Sequence, residues 1–311
     1  METNRDYLIR RISPEETLEA LCDFPRYFEI ETVNACNAAC PMCTIADWQR
    51  QPTVMKDDLF EKIAEEICSH SEVVKRVHLY RDGEPLLDKK LASRIKRLKP
   101  AIRKVGISTN AQLLNQDKAE AILWAGLDEI ILSIDSLVKD TYDKIRVGLD
   151  FETVRDNCVN FFRVRNWTGT SCKIRVRMVR QEANYVEWPE FEKFWKFYLG
   201  SEDTVECKDI HNWGGQLQGF KSVSTADTER ACVALWSLMC IFADGSVPLC
   251  NVDYNNKYPL GSVVTNTIEE LWRSDKQNLR RKQHLYGCRA AIAPCTNCTV
   301  WSEKPSHTNA A

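Results

Sequence analysis

Short β-rich runs alternate with amphipathic helical stretches along residues 27–210, and this alternation restricts the chain to few folds. We predict strands at Tyr27–Val33, Val74–Tyr80, Lys104–Thr109, Glu129–Ile134, Lys173–Val179 and Thr204–Ile210. Apolar residues at helical spacing predict helices at Lys56–Ser69, Lys89–Leu98, Gln116–Trp124, Phe151–Val164 and Tyr185–Tyr198. Strand–helix alternation of this kind predicts a parallel sheet with right-handed crossover connections.

The number of strand–helix units decides between a closed and an open barrel. Six units are too few for a complete eight-stranded barrel, so we expect an α/β fold with a partial (β/α)6 TIM-like barrel. The active site of such a barrel lies at the C-terminal ends of its strands. At the helix ends, Asp57 or Asp58 is the expected N-cap of the first helix, and Gly126 is expected to end the third.

The composition excludes several classes of protein. The 311 residues are 44% hydrophobic and 28% charged, which is typical of a globular protein. Because the net charge is only −2, we expect no basic surface for nucleic acid or for an anionic membrane. No apolar run approaches the roughly 20 residues of a membrane span, and the charged first 24 residues lack the apolar core of a secretory signal. We therefore expect a cytoplasmic protein without nucleic-acid or membrane partners.

Three of the 14 cysteines, Cys36, Cys40 and Cys43, follow the first predicted strand with the spacing C-x3-C-x2-C. In a reducing cytosol, clustered cysteines indicate metal binding or catalysis rather than disulfides. Three thiolates can ligate three irons of a cubane cluster and leave the last iron open for chemistry. A zinc site would need a fourth local ligand, but no Cys or His follows before Cys68. The alternative is that these are buried free cysteines.

A second group of six cysteines lies between Cys232 and Cys298. Cys295 and Cys298 form a C-x2-C pair, and with Cys232 and Cys250 they can close around one cluster in which every iron is ligated. A four-cysteine zinc site uses the same ligands. The scattered cysteines are predicted to be core residues: Cys22, Cys68, Cys158, Cys172 and Cys207.

The periodic pattern ends at residues 211–215, and the polar residues 221–230 are interpreted as a linker into a small cysteine-rich α+β module. We therefore divide the chain into an N-terminal extension (1–24), the partial barrel (25–215) and this module (216–311). The module is predicted to contain a hairpin that turns at residues 244–245, followed by a helix at Ile268–His284.

The predicted hairpin also predicts which residues lie opposite two of the cysteines. In a tight hairpin, Cys240 is opposite Leu249, and Cys250 is opposite Met239. Strand alternation then places Cys240 and Cys250 on opposite faces, so Cys240 is a poor candidate for the same cluster.

The Cys36 loop resembles the CxxxCxxC signature of radical S-adenosylmethionine (SAM) enzymes, in which a [4Fe–4S] cluster reductively cleaves SAM. Residues 82–85, Asp-Gly-Glu-Pro, look like the family's GGEP motif with an aspartate as its first residue. The resemblance implies that Glu84 accepts a hydrogen bond from the SAM amine and that Gly83 allows close backbone approach. It also implies that Met42, where the family usually has an aromatic residue, covers the adenine. The residues that the resemblance assigns to SAM are Met42, Gly83, Glu84, Pro85, Ser108, Asn110 and Asp135.

The later strand ends carry the rest of this resemblance. Residues 108–110 are similar to the segment that binds the SAM ribose and carboxylate. Asp135 matches the family's S-x-D position, and its alternative role is the N-cap of the next helix. Arg146 is either a surface residue or a substrate-side charge. Arg175 and Arg177 share one face of the fifth strand, and one that points inward can bind the SAM carboxylate, although strand parity does not identify the inner face.

The C-terminal cysteines resemble the auxiliary-cluster module known as SPASM or, when shortened, twitch. The matching features are Cys232, Cys250, Cys295, Cys298, residues 244–245, 260–261 and 271–272, and Trp301. The resemblance implies one auxiliary [4Fe–4S] cluster beside the SAM-binding cluster. Cys240 is interpreted either as a core residue or as a hydrogen-atom donor at the barrel mouth, and Cys288 as a substitute ligand.

The resemblance implies that a 5′-deoxyadenosyl radical from SAM removes a hydrogen atom from the substrate, with flavodoxin or ferredoxin as reducing partner. Loss of a further proton and electron dehydrogenates the substrate, whereas a hydrogen atom returned by Cys240 epimerises it. The resemblance implies a sugar or aminocyclitol substrate, since single-auxiliary-cluster relatives of this length often act on such molecules, and a peptide-modifying maturase is an alternative. A zinc-binding or electron-carrier protein is the non-enzymatic hypothesis.

Overall fold

The computed structural model describes residues 2–216 and 230–300. The strands are β1 Tyr27–Ile30, β2 Arg76–His78, β3 Val105–Thr109, β4 Glu129–Ser133, β5 Lys173–Arg180, β6 Thr204–Asp209, β7 Leu238–Ile241, β8 Ser246–Val247 and β9 Gly261–Ser262. The α-helices are α1 Asn4–Ile12, α2 Asp57–Ser69, α3 Leu91–Leu98, α4 Gln116–Trp124, α5 Lys139–Ile145, α6 Phe151–Thr168, α7 Trp188–Lys196, α8 Ala234–Ser237, α9 Ile268–Trp272 and α10 Asp275–Leu285. All six predicted strands and all five predicted helices between residues 27 and 210 are present, with α5 as an addition.

The main sheet contains seven strands in the order β6-β5-β4-β3-β2-β1-β7, and every pair in it is parallel. Because β6 and β7 form separate edges, the barrel is open. The predicted α/β partial barrel is therefore confirmed, and one more strand than predicted extends it. Crossover helices cover one face of such a sheet and leave a concave lumen on the other.

Strand alternation separates the two faces of the sheet. Apolar residues such as Ile107 and Val176 are fully buried in one core cluster with helix residues such as Ile63. The intervening residues face the lumen. Glu29 of β1 interacts electrostatically with Arg177 of β5, although three strands lie between them in the sheet. Such an interaction requires the sheet to curve around the lumen.

The seventh strand comes from the region assigned to the C-terminal module. β7 pairs in parallel with β1, and Cys240 lies opposite Glu29. The predicted hairpin ladder is therefore wrong: Cys240 is not opposite Leu249, and the short β8 pairs with β9 instead. The turn itself exists, since Gly245 has φ +84°. All four residues of β7 are buried.

The structure tests the predicted ends of three helices. Lys56, rather than Asp57 or Asp58, is the N-cap of α2, and the two aspartates lie in the first turn, where carboxylates favour the helix dipole. Gly126 follows α4 with φ +95°, as expected of a residue that ends a helix. The single helix predicted at residues 268–284 is two helices, because Ser274 caps α10 by accepting the Gln277 N–H.

The N-terminal segment packs on the C-terminal module. Tyr7, Leu8 and Ile12 of α1 share a buried cluster with Trp236 and with the cysteines of the module. Trp301 and all of the predicted linker except Arg230 lie outside the described residues. The domain boundaries 1–24, 25–215 and 216–311 stay a prediction. No helix within residues 2–216 and 230–300 combines the length and the apolarity that crossing a membrane requires.

Candidate active site

The C-x3-C-x2-C triplet lies in the loop after β1, at the C-terminal edge of the main sheet. Neighbouring loops hold this loop through the main chain: the Ala39 N–H donates to Val147 O, and the Glu84 N–H donates to Ala35 O, each at 2.8 Å. The thiols interact electrostatically with one another, so the fold brings all of them together: Cys36, Cys40 and Cys43.

These thiols fit a cluster with an open iron. Burial raises the pKa of Cys36 to about 12 and that of Cys43 to about 11, so both are neutral without metal, and loading the site releases protons. The donor set is sulfur alone, which suits iron–sulfur ligation. In the part of the chain that the structure describes, no group of three or more His, Cys, Asp or Glu side chains is arranged to hold a single metal ion.

Glu84 is 2% exposed and is held at the edge of the sheet by internal donors. Its Oε1 accepts the Thr109 hydroxyl at 2.7 Å and the Leu86 N–H at 3.0 Å, and its Oε2 accepts the Asn110 N–H at 2.8 Å. A carboxylate offers about four acceptor positions, so one on Oε2 is left for a further donor. This remaining acceptor position is compatible with the predicted hydrogen bond from the SAM amine. The sequence reasoning missed the contact between Thr109 and Glu84.

Gly83 packs directly against the cysteine loop. A Cβ at this position would lie 2.4 Å from Val33 O and 2.7 Å from Ala35 O, so only glycine fits. Pro85 is buried and begins the short 3-10 helix that Glu84 caps. The close approach therefore serves the cysteine loop, and a direct contact of Gly83 or Pro85 with SAM stays a prediction.

Asn110 ties the end of β3 to the cysteine loop. Its Nδ2 donates to Asn37 Oδ1 at 2.8 Å and lies 3.8 Å from Cys36 Sγ. Ser108 is half-buried in the lumen, with its Oγ 3.5 Å from Ser133 Oγ. The structure thus places Asn110 at the cluster loop and Ser108 below it, and their contacts with SAM stay predictions.

Asp135 is fully buried in a left-handed conformation with φ +65°. Its Oδ2 lies 2.7 Å from Arg146 Nη2, and its Oδ1 accepts the Val179 N–H at 2.7 Å. The N-cap alternative is wrong, because the N-cap of α5 is Val138. Arg146 also lies 3.8 Å from Cys40 Sγ, so it is a buried link between Asp135 and the cysteine loop rather than a surface residue.

Met42 lies beside an aromatic residue that the sequence reasoning did not single out. The Met42 side chain is buried, and its main-chain O accepts the Trp213 Nε1–H at 3.3 Å. Trp213 adopts φ +51° and packs at 4.7 Å against His211, with Tyr254 6.1 Å away on edge. An aromatic side chain therefore reaches the cysteine loop from the end of the barrel.

Charged residues from several strands line the lumen. Arg175 and Arg177 both face inward: Arg175 Nε lies 3.2 Å from Glu129 Oε1, and Arg177 Nη2 lies 2.6 Å from Glu206 Oε1. Burial opposes the charge of Glu129, but His78 and the nearby arginines bring its pKa down to about 2. The alternation of charged and apolar residues predicted that the two arginines share a face. Their ion pairs with Glu129 and Glu206 show that this face points into the lumen.

Glu29 is a carboxylate of the lumen whose side chain contacts a thiol. Its Oε2 lies 3.6 Å from Cys240 Sγ, and Tyr80 interacts with it electrostatically. Burial raises the pKa of Glu29 above its usual value, with Arg81 acting in the opposite direction. Cys240 therefore faces the lumen, whereas Cys288 is exposed and donates to Tyr286 O.

Four of the six C-terminal cysteines form a buried cluster of their own. Burial raises the pKa of Cys232 and Cys295 to about 12, and each of the thiols interacts electrostatically with others of the group. The set contains four sulfurs and fits a fully ligated cluster. Cys288 is absent from these interactions, and the proposed ligands are Cys232, Cys250, Cys295 and Cys298.

Two models of known domains match this chain. The model of the radical SAM superfamily matches residues 30–172, and the model of an iron-sulfur cluster-binding domain, SPASM, matches residues 232–299. The chain therefore contains a radical SAM domain followed by a SPASM domain, and these domains identify a radical SAM enzyme. Its cofactors are SAM and [4Fe–4S] clusters, and the non-enzymatic hypothesis is set aside.

Two curated relatives differ in how much of their length is shared. The chain is 24% identical over 281 residues to an S-adenosyl-L-methionine-dependent 2-deoxy-scyllo-inosamine dehydrogenase from Niallia circulans, covering 87% of this chain and 91% of that protein. It is 26% identical over 174 residues to a tungsten-containing aldehyde ferredoxin oxidoreductase cofactor-modifying protein from Pyrococcus furiosus. That match covers 54% of this chain and 48% of the relative, so the chain spans about half the length of that protein.

Two solved structures share the fold. BtrN in complex with AdoMet and 2-DOIA is 20% identical, with a TM-score of 0.61 and coverage of 88% of this chain and 93% of that chain. Streptococcus suis SuiB bound to precursor peptide SuiA is 17% identical, with a TM-score of 0.67 and coverage of 90% and 71%. At these identities the likeness concerns the fold alone.

Proposed function

We propose that this enzyme dehydrogenates a sugar or aminocyclitol-type small molecule at a hydroxyl-bearing carbon. The observation that carries the proposal is the lumen, which carboxylates and guanidinium groups from several strands line together. The full-length similarity to an aminocyclitol dehydrogenase supports the same substrate class. When bound, the SAM-binding cluster with SAM supplies a hydrogen-abstracting radical, and the four-cysteine cluster supplies a one-electron acceptor.

The lumen residues bind and orient such a substrate through charge-assisted hydrogen bonds. Glu29 is directed at the lumen, and its neighbour on β7 is a thiol rather than a cation. A carboxylate in this position attracts an ammonium or a hydroxyl group. Arg177, while paired with Glu206, keeps further N–H donors for hydroxyl oxygens.

Glu29 also has the chemistry of a proton acceptor. Dehydrogenation of an alcohol releases the hydroxyl proton, and a base works best when its pKa is near the working pH. Burial raises the pKa of Glu29 in that direction. We therefore assign the hydroxyl proton to Glu29, whose carboxylate becomes a carboxylic acid in the step.

Isotope transfer tests the proposed reaction. Reduced, anaerobically reconstituted enzyme receives aminocyclitols and sugars deuterated at single ring carbons, and mass spectrometry follows 5′-deoxyadenosine and the product. We expect deuterium in 5′-deoxyadenosine and a ketone from one labelled position. With unlabelled substrate, a product that has the elemental composition of the substrate in ordinary water and carries one deuterium when formed in heavy water would show epimerisation. Deuterium transfer from labelled peptides alone would show a peptide-modifying enzyme. Either result overturns the proposal.

Epimerisation is the second candidate function, because Cys240 lies in the lumen at 3.6 Å from Glu29. Dehydrogenation does not use this thiol, so Cys240→Ala is expected to keep forming the ketone at a rate within about threefold of the parent enzyme. Cys158→Ala, which removes a buried thiol from α6 outside the lumen, is the matched control. An epimer whose formation stops in Cys240→Ala, with SAM cleavage intact, would establish the thiol as hydrogen-atom donor instead.

A further inference from the structure

Two buried guanidinium groups bind the main chain of three proposed auxiliary-cluster ligands. Arg289 is 3% exposed, and its Nε donates to Cys295 O at 3.1 Å while its Nη2 donates to Cys298 O. Arg81, from the end of β2, donates from Nη2 to Cys250 O at 3.1 Å. One of these cations thus comes from the SPASM domain and the other from the barrel.

The two arginines differ in their surroundings. Arg81 forms an ion pair with the buried Asp82, and its guanidinium lies 4.2 Å from the centre of the Phe242 ring. Asp82 keeps the pKa of Arg81 above its usual value although burial acts against the charge. Arg50 also approaches Asp82, at 3.6 Å, and stacks on Phe242 at 3.6 Å. Arg289 contacts the carbonyl groups of two proposed ligands whereas Arg81 contacts one, so Arg289 is the stronger candidate for an electrostatic effect.

A cluster ligated by four thiolates is an anion, and reduction adds one more negative charge to it. A fixed positive charge in a medium of low dielectric constant stabilises the reduced form more than the oxidised form. Hydrogen bonds and charge near the sulfurs are known levers on cluster potential. Guanidinium groups keep their charge across the whole working pH range.

We propose that Arg289, with a smaller contribution from Arg81, sets the reduction potential of the four-cysteine cluster high enough for it to accept one electron. Arg289 acts through the ligand loops, so it is a positioning residue rather than a catalytic one. This inference rests on the proposed function for the electron that the cluster accepts, whereas the shift in potential does not depend on the identity of the substrate.

The test is a redox titration of the reconstituted holoenzyme without substrate, followed by electron paramagnetic resonance. SAM is added to distinguish the clusters, because it perturbs only the one with an open iron. We expect Arg289→Gln to lower the ratio of reduced to oxidised auxiliary cluster roughly tenfold at a fixed potential, or about 59 mV for a one-electron couple. Arg289→Lys, which keeps the charge, is expected to show less than half of this shift. Arg81→Gln is expected to shift the potential in the same direction by a smaller amount.

Arg281→Gln is the matched control. Arg281 is also 3% exposed and also donates to a main-chain carbonyl, Leu235 O at 3.0 Å, but it interacts electrostatically with Cys22 rather than with the cluster ligands. Its removal costs similar packing and is expected to leave the potential unchanged. The inference is overturned if Arg289→Gln retains its iron with an unchanged potential, or if the Lys and Gln variants shift equally. A parent enzyme without an auxiliary cluster would overturn the cluster assignment itself, which iron analysis shows separately.

Discussion

Replacing Cys36, Cys40 and Cys43 together by alanine is expected to abolish SAM cleavage while leaving about half of the iron and sulfide in the protein. The triplet contains the three thiols of the loop after β1, and the four proposed ligands of the other cluster are a separate buried set. Iron and sulfide analysis of the reconstituted variant, with chromatography of 5′-deoxyadenosine under reductant, measures both effects.

The complementary variant carries alanine at Cys295 and Cys298. It is expected to lose the other half of the iron and to keep SAM cleavage, while ketone formation stops. Cys288→Ala is the control for loss of a cysteine as such, because Cys288 is exposed and belongs to neither set of proposed cluster ligands. A triplet variant that still cleaves SAM, or that retains all of its iron, would contradict the assignment of the two sites.

Gly83→Ala is expected to destabilise the protein by about 3 kcal/mol and to prevent stable loading of the first cluster, because the new methyl group would collide with main-chain oxygens of the cysteine loop. Neither Val33 O nor Ala35 O belongs to a flexible side chain, so the loop itself has to move. Chemical denaturation of the metal-free protein measures the stability, and iron content after reconstitution measures the loading.

Gly169→Ala is the control for this substitution. Gly169 has φ +67°, but nothing lies within 4 Å of the position where its Cβ would be built. The variant is expected to lose only about 1 kcal/mol, from backbone strain, and to load iron normally. Equal loss of iron in both variants would mean that general destabilisation, rather than the contact with the cysteine loop, controls cluster binding.

Local sequence patterns were sufficient for most of the barrel. Alternating apolar residues located the six strands, since each strand buries one face against helices within a few dozen residues. The pairing of β7 with β1 was not accessible in this way. The Asp244-Gly245 turn indicated a local hairpin, and nothing in the neighbourhood of Cys240 points to a partner more than two hundred residues earlier.

In the site too, local motifs identified single residues, whereas their contacts depend on parts of the chain that are distant in sequence. Glu84 was recognisable from its motif, but its donor Thr109 follows from the neighbouring position of β2 and β3. Arg175 and Arg177 were predicted to share a face, and the direction of that face depended on Glu206 of the next strand. Arg289 could not be recognised, because its role comes from two carbonyl groups in a loop without secondary structure signals.

The position of β7 has a consequence for the construction of chimeras. Because the strand that carries Cys240 belongs to the sequence that leads into the SPASM domain, an exchange of that domain between relatives also replaces one wall of the barrel. Such a hybrid would inherit part of its substrate preference together with its second cluster. A junction placed after residue 243 would transfer the C-terminal cluster loops and leave the recipient's own lumen intact.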